Sequence, residues 1–220
     1  RTLVTSTIGV NSGFITLWRV PEGTRLASYA SEQLSIIPAT DFAATSDLSI
    51  AAYGNGNGRI HVIDLRAGKE LWAVTAAKEY ITALAFSPDG KTLASAAGYN
   101  ESDIRLWDTA TGKETGKLVG HTSWVGSLVF WPDGKKLASA SADQTIRIWD
   151  IASQKCLDVL RGHRLEVWRL ALLPDNQTLI SGSKDGEVCL WDTSVTHPHQ
   201  GKTTWPDKLL AWQFAPDSRS

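Results

Sequence analysis

From Gly120 to Asp150 the chain reads GHTSWVGSLVFWPDGKKLASASADQTIRIWD. Three segments in this stretch favour extended backbone: Val125 to Phe130, Leu137 to Ser141, and Thr145 to Trp149. Pro132-Asp133-Gly134 separates the first two, and a turn at Asp143 separates the second from the third. Short apolar runs broken in this way read as strands joined by tight hairpins. Glycine tolerates positive φ there, while proline and aspartate preset or cap the turn. No window holds a helical period long enough to compete.

The stretch recurs. Gly162-His163 opens a second copy, followed by an apolar run to Leu173 and then Pro174-Asp175. Leu179-Ile180-Ser181-Gly182-Ser183, Asp185 and Val188-Cys189-Leu190-Trp191-Asp192 complete it in the same order. Trp107, Trp149 and Trp191 stand 42 residues apart, each followed by an aspartate. A step back of 44 from Trp107 reaches Ile63-Asp64, and a further 45 reaches Trp18-Arg19. A period of this length, with several short strands and no helix in each unit, predicts an all-β fold: a β-propeller of four-stranded antiparallel blades. Neighbouring blades cover both faces of each sheet, which suits strands that are apolar on both sides. The units run over 21–65, 66–108, 109–150 and 151–192, with 1–20 and 193–220 sharing a fifth.

The Gly-His, Pro-Asp-Gly, Ser-x-x-x-Asp and Trp-Asp pattern at this spacing resembles the WD-repeat (WD40-type) β-propellers. In that family a histidine, a serine or threonine, the turn aspartate and the tryptophan form a hydrogen-bonded tetrad. The resemblance implies two such structural sets here: His121, Ser139, Asp143 and Trp149, and His163, Ser181, Asp185 and Trp191. Ser141 and Ser183, two residues along on the same strand face, are the competing serines. The third unit has Ala76-Ala77 in place of Gly-His and a stretched turn, Gly98-Tyr99-Asn100-Glu101-Ser102. The second has no aligned histidine, and Ile63 fills the tryptophan position. Both are expected to lack a complete tetrad and to rely more on packing.

The ends of the chain leave two arrangements open. Arg1-Thr2-Leu3-Val4-Thr5 aligns with Lys91-Thr92-Leu93-Ala94-Ser95, the start of a second strand. Trp212-Gln213-Phe214-Ala215-Pro216-Asp217-Ser218 aligns with a first strand and its turn. Five blade units therefore either close a five-bladed ring or form part of a larger one. The seven blades usual in the resembling family favour the second; the sequence has no methionine, and the chain reads as a processed product or a piece of something longer.

Composition narrows the function classes. The net charge is −1, which gives no basic excess for nucleic acid or an anionic membrane, so neither is expected as a partner. No apolar run approaches the roughly 20 residues of a membrane helix. No secretory signal opens the sequence, and a cytoplasmic location is expected. For the same reason the sequons at Asn100 and Asn176 read as chance.

Two cysteines are too few for a disulfide framework. Cys189 stands where other units carry Arg105 and Arg147 and reads as a buried, inert thiol; Cys156 belongs on a fourth strand. The run Gly54-Asn55-Gly56-Asn57-Gly58 leads into a strand, so it reads as a hairpin turn and not as a phosphate loop. His197-Pro198-His199 lacks further ligands at metal-site spacing and reads as a connector. The Ser-His-Asp inventory of the tetrads is not a hydrolase triad, because the strand-to-helix elbow that exposes a nucleophile is absent. No catalytic residue, cofactor or metal is expected.

A partner face is expected instead. In the resembling family, partners often dock where the loops before the first strand and between the second and third strands meet. Ile36, Tyr80, Trp124, Glu166 and Lys208 fall there, with Thr82 and Trp168 two positions on in their units and Trp205 in the same kind of loop. Aromatic residues dominate interface hot spots. The partner-binding set is therefore Tyr80, Trp124, Glu166, Trp168, Trp205 and Lys208, whereas Trp131 reads as a packing residue on the opposite side. The expected function is a non-catalytic protein or peptide scaffold or ligand-sensing propeller, a module of a larger signalling protein that also contacts its own other domains. The alternative is a propeller enzyme of glycosidase or lyase type with its site in the central channel.

Overall fold

The computed structural model describes residues 2–8, 13–19, 22, 24–31, 41–194 and 202–204. Among these the chain forms nineteen strands and no helix. Strands β1 (Thr2–Ile8), β2 (Gly13–Arg19) and β3 (Thr24–Ser31) make a three-stranded sheet. Four four-stranded antiparallel sheets follow. The first holds β4 (Phe42–Ala44), β5 (Ile50–Gly54), β6 (Arg59–Asp64) and β7 (Lys69–Thr75). The next holds β8 (Ile81–Phe86), β9 (Thr92–Ala97), β10 (Ile104–Asp108) and β11 (Glu114–Leu118). Then come β12 (Val125–Phe130), β13 (Lys136–Ser141), β14 (Thr145–Asp150) and β15 (Lys155–Arg161). The last sheet holds β16 (Val167–Leu172), β17 (Thr178–Ser183), β18 (Val188–Asp192) and β19 (Lys202–Thr204). In chain order the five sheets are the first to fifth blades. The segment 212–218, aligned above with a returning first strand, lies outside the described residues.

Each blade is a simple meander whose strands pair with their sequence neighbours. The register repeats with the sequence: Leu93 faces Trp107, Leu137 faces Trp149, Leu179 faces Trp191, and Ala51 faces Ile63. At the tryptophan position (Ile63 in the second blade) the pairing to the last strand of the sheet shifts by a bulge in the first four blades. A bulge of this kind increases local twist and re-aims the side chain beside it. Each fourth strand lies beyond the Asp of the Trp-Asp (or Ile-Asp) pair, so the sheets are offset from the sequence units by one strand.

Three apolar clusters fill the spaces between successive sheets from the second blade to the fifth. The first strands carry the contacts between blades: β4 packs against β8, β8 against β12, and β12 against β16. Second strands contribute small, fully buried residues, among them Ala52, Ala94 and Ala138, which let adjacent sheets approach closely. Trp149 has no exposed surface; burying an indole of about 200 Å² contributes roughly 5 kcal/mol. Fourth strands such as β7 and β11 show mostly exposed and half-buried residues and form the outer edge.

Candidate functional site

In the fourth blade, His121 Nδ1 lies 2.7 Å from Asp143 Oδ2, and His121 Nε2 lies 2.7 Å from Ser139 Oγ. Trp149 Nε1 donates to the same Ser139 Oγ at 2.8 Å. The indole N–H can only donate, so one proton assignment satisfies the whole chain: Ser139 O–H donates to His121 Nε2, and His121 Nδ1–H donates to Asp143. The fifth blade repeats it through His163, Asp185 at 3.1 Å, Ser181 at 2.7 Å and Trp191 at 2.7 Å. Ser141 is occupied elsewhere, donating to the Ser123 and Trp124 carbonyls.

Burial alone would raise the Asp143 carboxyl. Hydrogen bonds from His121, Thr145 and the Thr122 amide together outweigh it and hold the group well below the usual carboxylate range. Asp185 follows the same balance: burial opposes ionisation, yet the Arg164 and Glu187 amides and His163 bring its pKa down to about 2. Stabilised carboxylates buried against imidazole and indole make these groups structural ties, with no side-chain atom presented as a nucleophile. Cys189 is fully buried, and its Sγ lies 3.9 Å from His163 Nδ1. Cys156 is half-buried on β15. His163, Glu187 and Cys189 bring ligand-type atoms within 4.8 Å of one another, but the ring nitrogen facing Cys189 is the one already bonded to Asp185.

The third blade keeps part of the arrangement. Trp107 Nε1 donates to Ser95 Oγ at 2.8 Å although Ala77 replaces the histidine. The lengthened turn brings Glu101 to accept the Lys78 amide at 2.7 Å, the role Asp143 plays toward Thr122 at 3.1 Å in the fourth blade. Packing is thus supplemented by a carboxylate cap that the position of the turn aspartate does not reveal. In the second blade, His61, on the same strand as Ile63, stacks on Tyr53 at 4.7 Å and places Nδ1 2.7 Å from Glu70. The run 54–58 is the hairpin between β5 and β6, with Gly58 at φ +70°.

The loops before first strands and between second and third strands are tied together at one end of the sheets. Gly98 N donates to Tyr80 O at 2.9 Å, Ala142 N to Trp124 O at 2.9 Å, and Lys184 N to Glu166 O at 3.0 Å. This places Tyr80, Trp124 and Glu166 on equivalent loops of three successive blades. Tyr80, Tyr99 and Trp124 form an edge-to-face series, with centroids 5.9 Å and 6.2 Å apart and planes at 78° and 77°. Trp124 lies over Gly126, where a Cβ would come within 2.8 Å of its ring and 3.3 Å of the Trp168 carbonyl. Both the Trp124 ring and the Trp168 carbonyl thus crowd the Gly126 position, and Trp168 is 45% exposed. Glu166 pairs with Lys184 at 2.9 Å. Tyr99, at 67% exposure, is the most open large aromatic among the described residues; its signal in the sequence is the stretched turn that carries it. Ile36, Trp205 and Lys208 lie outside the described residues, as do His197 and His199. Trp131 is buried, packs with Leu179 and Trp191, and donates from Nε1 to Asn176 O at 3.0 Å.

The repeated blade register and the complete tetrads of the fourth and fifth blades coincide with family matches. The model of the WD domain, G-beta repeat, matches residues 112–150 and 154–192. That of the anaphase-promoting complex subunit 4 WD40 domain matches 40–125. The chain belongs to the WD-repeat family. Together the two models span about two thirds of it. No curated protein matches the chain. WD-repeat domains generally mediate protein–protein interaction and are typically non-enzymatic scaffolds.

Proposed function

We propose that this chain is a non-catalytic docking module that binds a protein or peptide across the loop face centred on Tyr80, Trp124 and Trp168, with Glu166 at its rim. The observation that carries this reading is the aromatic surface left open on one end of three successive blades, including Trp168 at 45% exposure and Tyr99 at 67%. Rigid aromatics presented on tied loops offer large contact area at low cost in side-chain entropy. Trp205 and Lys208 extend the same set by alignment. Repeats this regular resemble those attached to signalling kinases, proteases and nucleotide-switch proteins, which supports a place in a larger cytoplasmic signalling polypeptide. Asp41, just before β4, has its carboxylate tied to the neighbouring blade by the Leu84 amide at 2.7 Å.

The test uses the chain as bait, with bound proteins quantified against W124A and W168A baits of unchanged melting temperature. A partner on this face is depleted on both variants by roughly tenfold or more, the scale of a hot-spot truncation. Undiminished capture by both variants refutes the reading.

A further inference from the structure

The extended turn of the third blade forms a cleft of about 470 Å³ lined by Lys78, Glu79, Asn100, Glu101, Ser102, Asp103 and Arg105. Its charges are not evenly matched. Glu101 accepts the Lys78 amide and lies 3.7 Å from Arg105, which also pairs with Glu114 at 3.0 Å. Glu79 and Asp103 have no cationic partner among the described residues, and Lys78 is an exposed side chain at the rim. The Asn100 side chain and backbone amide both donate to the Glu79 carboxylate, which fixes it in place. A Cβ at Gly98 would lie 2.9 Å from both Glu79 Oε2 and the Tyr80 ring, so glycine lets the carboxylate and the aromatic series meet. Burial, a hydrogen bond with Tyr99 and the nearby Glu79 charge push the Tyr80 hydroxyl up to about 12, so the phenol stays neutral beside the acid.

An unneutralised, oriented carboxylate near the exposed Tyr99 ring is suited to a cation carried on an apolar stem. The acid attracts the charge, the ring face attracts it through its quadrupole, and the methylenes cover the ring. We infer that the cleft seats a lysine or arginine side chain of the docked partner, with the cation between Glu79 and Asp103 and the stem against Tyr99. This rests on the docking reading above and adds to it the chemistry of one partner residue. Neither Glu79 nor Asp103 takes part in a tetrad; because Glu79 accepts from Asn100, its variants are compared only at unchanged melting temperature.

A phage-displayed peptide library selected on the full chain tests it. Selected peptides are resynthesised and titrated against wild type, W124A, W168A and the double variant E79Q/D103N, each checked for an unchanged melting temperature. The expected result is enrichment of lysine or arginine at one peptide position and about tenfold weaker binding to E79Q/D103N, with a comparable loss when that residue becomes norleucine and affinity that falls as salt rises. Peptides that lose affinity on W124A or W168A but ignore E79Q/D103N leave the docking face standing and overturn the cation site. Peptides that ignore all of these variants, or a library that yields no binder, overturn the docking reading and the cation site with it.

Discussion

Replacing Ser139 by alanine measures what a complete tetrad adds, because the same chain contains an internal reference. Ser139 is fully buried, and its hydroxyl serves both Trp149 Nε1 and His121 Nε2. Ser95, at the equivalent place in the third blade, serves Trp107 Nε1 with no histidine beside it. Leaving one buried polar group unsatisfied costs about 1–3 kcal/mol. S95A orphans one indole N–H, for a loss of about 1.5 kcal/mol, whereas S139A orphans an indole N–H and an imidazole nitrogen together, for about 3 kcal/mol. Urea unfolding followed by far-ultraviolet circular dichroism and by tryptophan fluorescence provides the assay, and coincident transitions license the free energies. In a W149F background the S139A penalty falls by about 1–2 kcal/mol, since the indole donor is already gone. A loss from S139A no larger than that from S95A refutes the hydrogen-bond account of the tetrad.

Three further outcomes follow from the geometry. Asp143 and Asp185 have native pKa values depressed below the unfolded value of about 3.9, so their stabilisation is fully present above roughly pH 4 and is lost as pH falls toward 2; the stability gap between wild type and D143N, followed by acid titration of urea midpoints, therefore narrows below pH 4, and a constant gap counts against it. Gly58 adopts φ +70°, and a Cβ there would lie 2.2 Å from the Ala77 carbonyl oxygen, so G58A costs about 2 kcal/mol or more, whereas Q144G, at an equivalent turn residue with φ 70°, is neutral or stabilising; thermal melts compare the two. Trp131 joins the fourth and fifth blades through Leu179 and its bond to Asn176 O, and W131A lowers stability by about 3–5 kcal/mol in urea unfolding.

The blades were legible in the sequence because their determinants are local and repeated. Pro-Asp-Gly and Asp-Gln mark turns wherever they fall, and a tryptophan every 42 residues marks the same register each time. The two tetrads were implied by the family resemblance, which left Ser139 and Ser141 in competition; in the folded chain Ser139 meets His121 and Trp149, while the Ser141 hydroxyl is drawn to the Ser123 and Trp124 carbonyls. Glu101 was not legible as a cap. A carboxylate on a longer stem, in a longer turn, reaches the Lys78 amide from a position that matches no aspartate in the other units. Tyr99 was missed as a contact residue because its alignment partners are absent; only the folded turn brings it between Tyr80 and Trp124. Position in the unit did separate Trp131, which follows a first strand and is buried at an interblade seam, from Trp168, which lies near the start of one and is exposed.

The division of labour among the blades follows from where each puts its polar side chains. In the fourth and fifth blades the turn aspartate points inward to histidine, and that inward bond fixes a short turn. Once the third blade has Ala77 in the histidine position, an inward aspartate has no imidazole to meet, and burying its charge unpaired would be costly. The turn is then free to lengthen, provided something caps the Lys78 amide, and Glu101 does so from the surface. The added residues carry Tyr99 and Asn100 outward, and Asn100 in turn orients Glu79. Loss of the tetrad and the lengthening of the turn that carries Tyr99 and Asn100 are therefore two sides of one change.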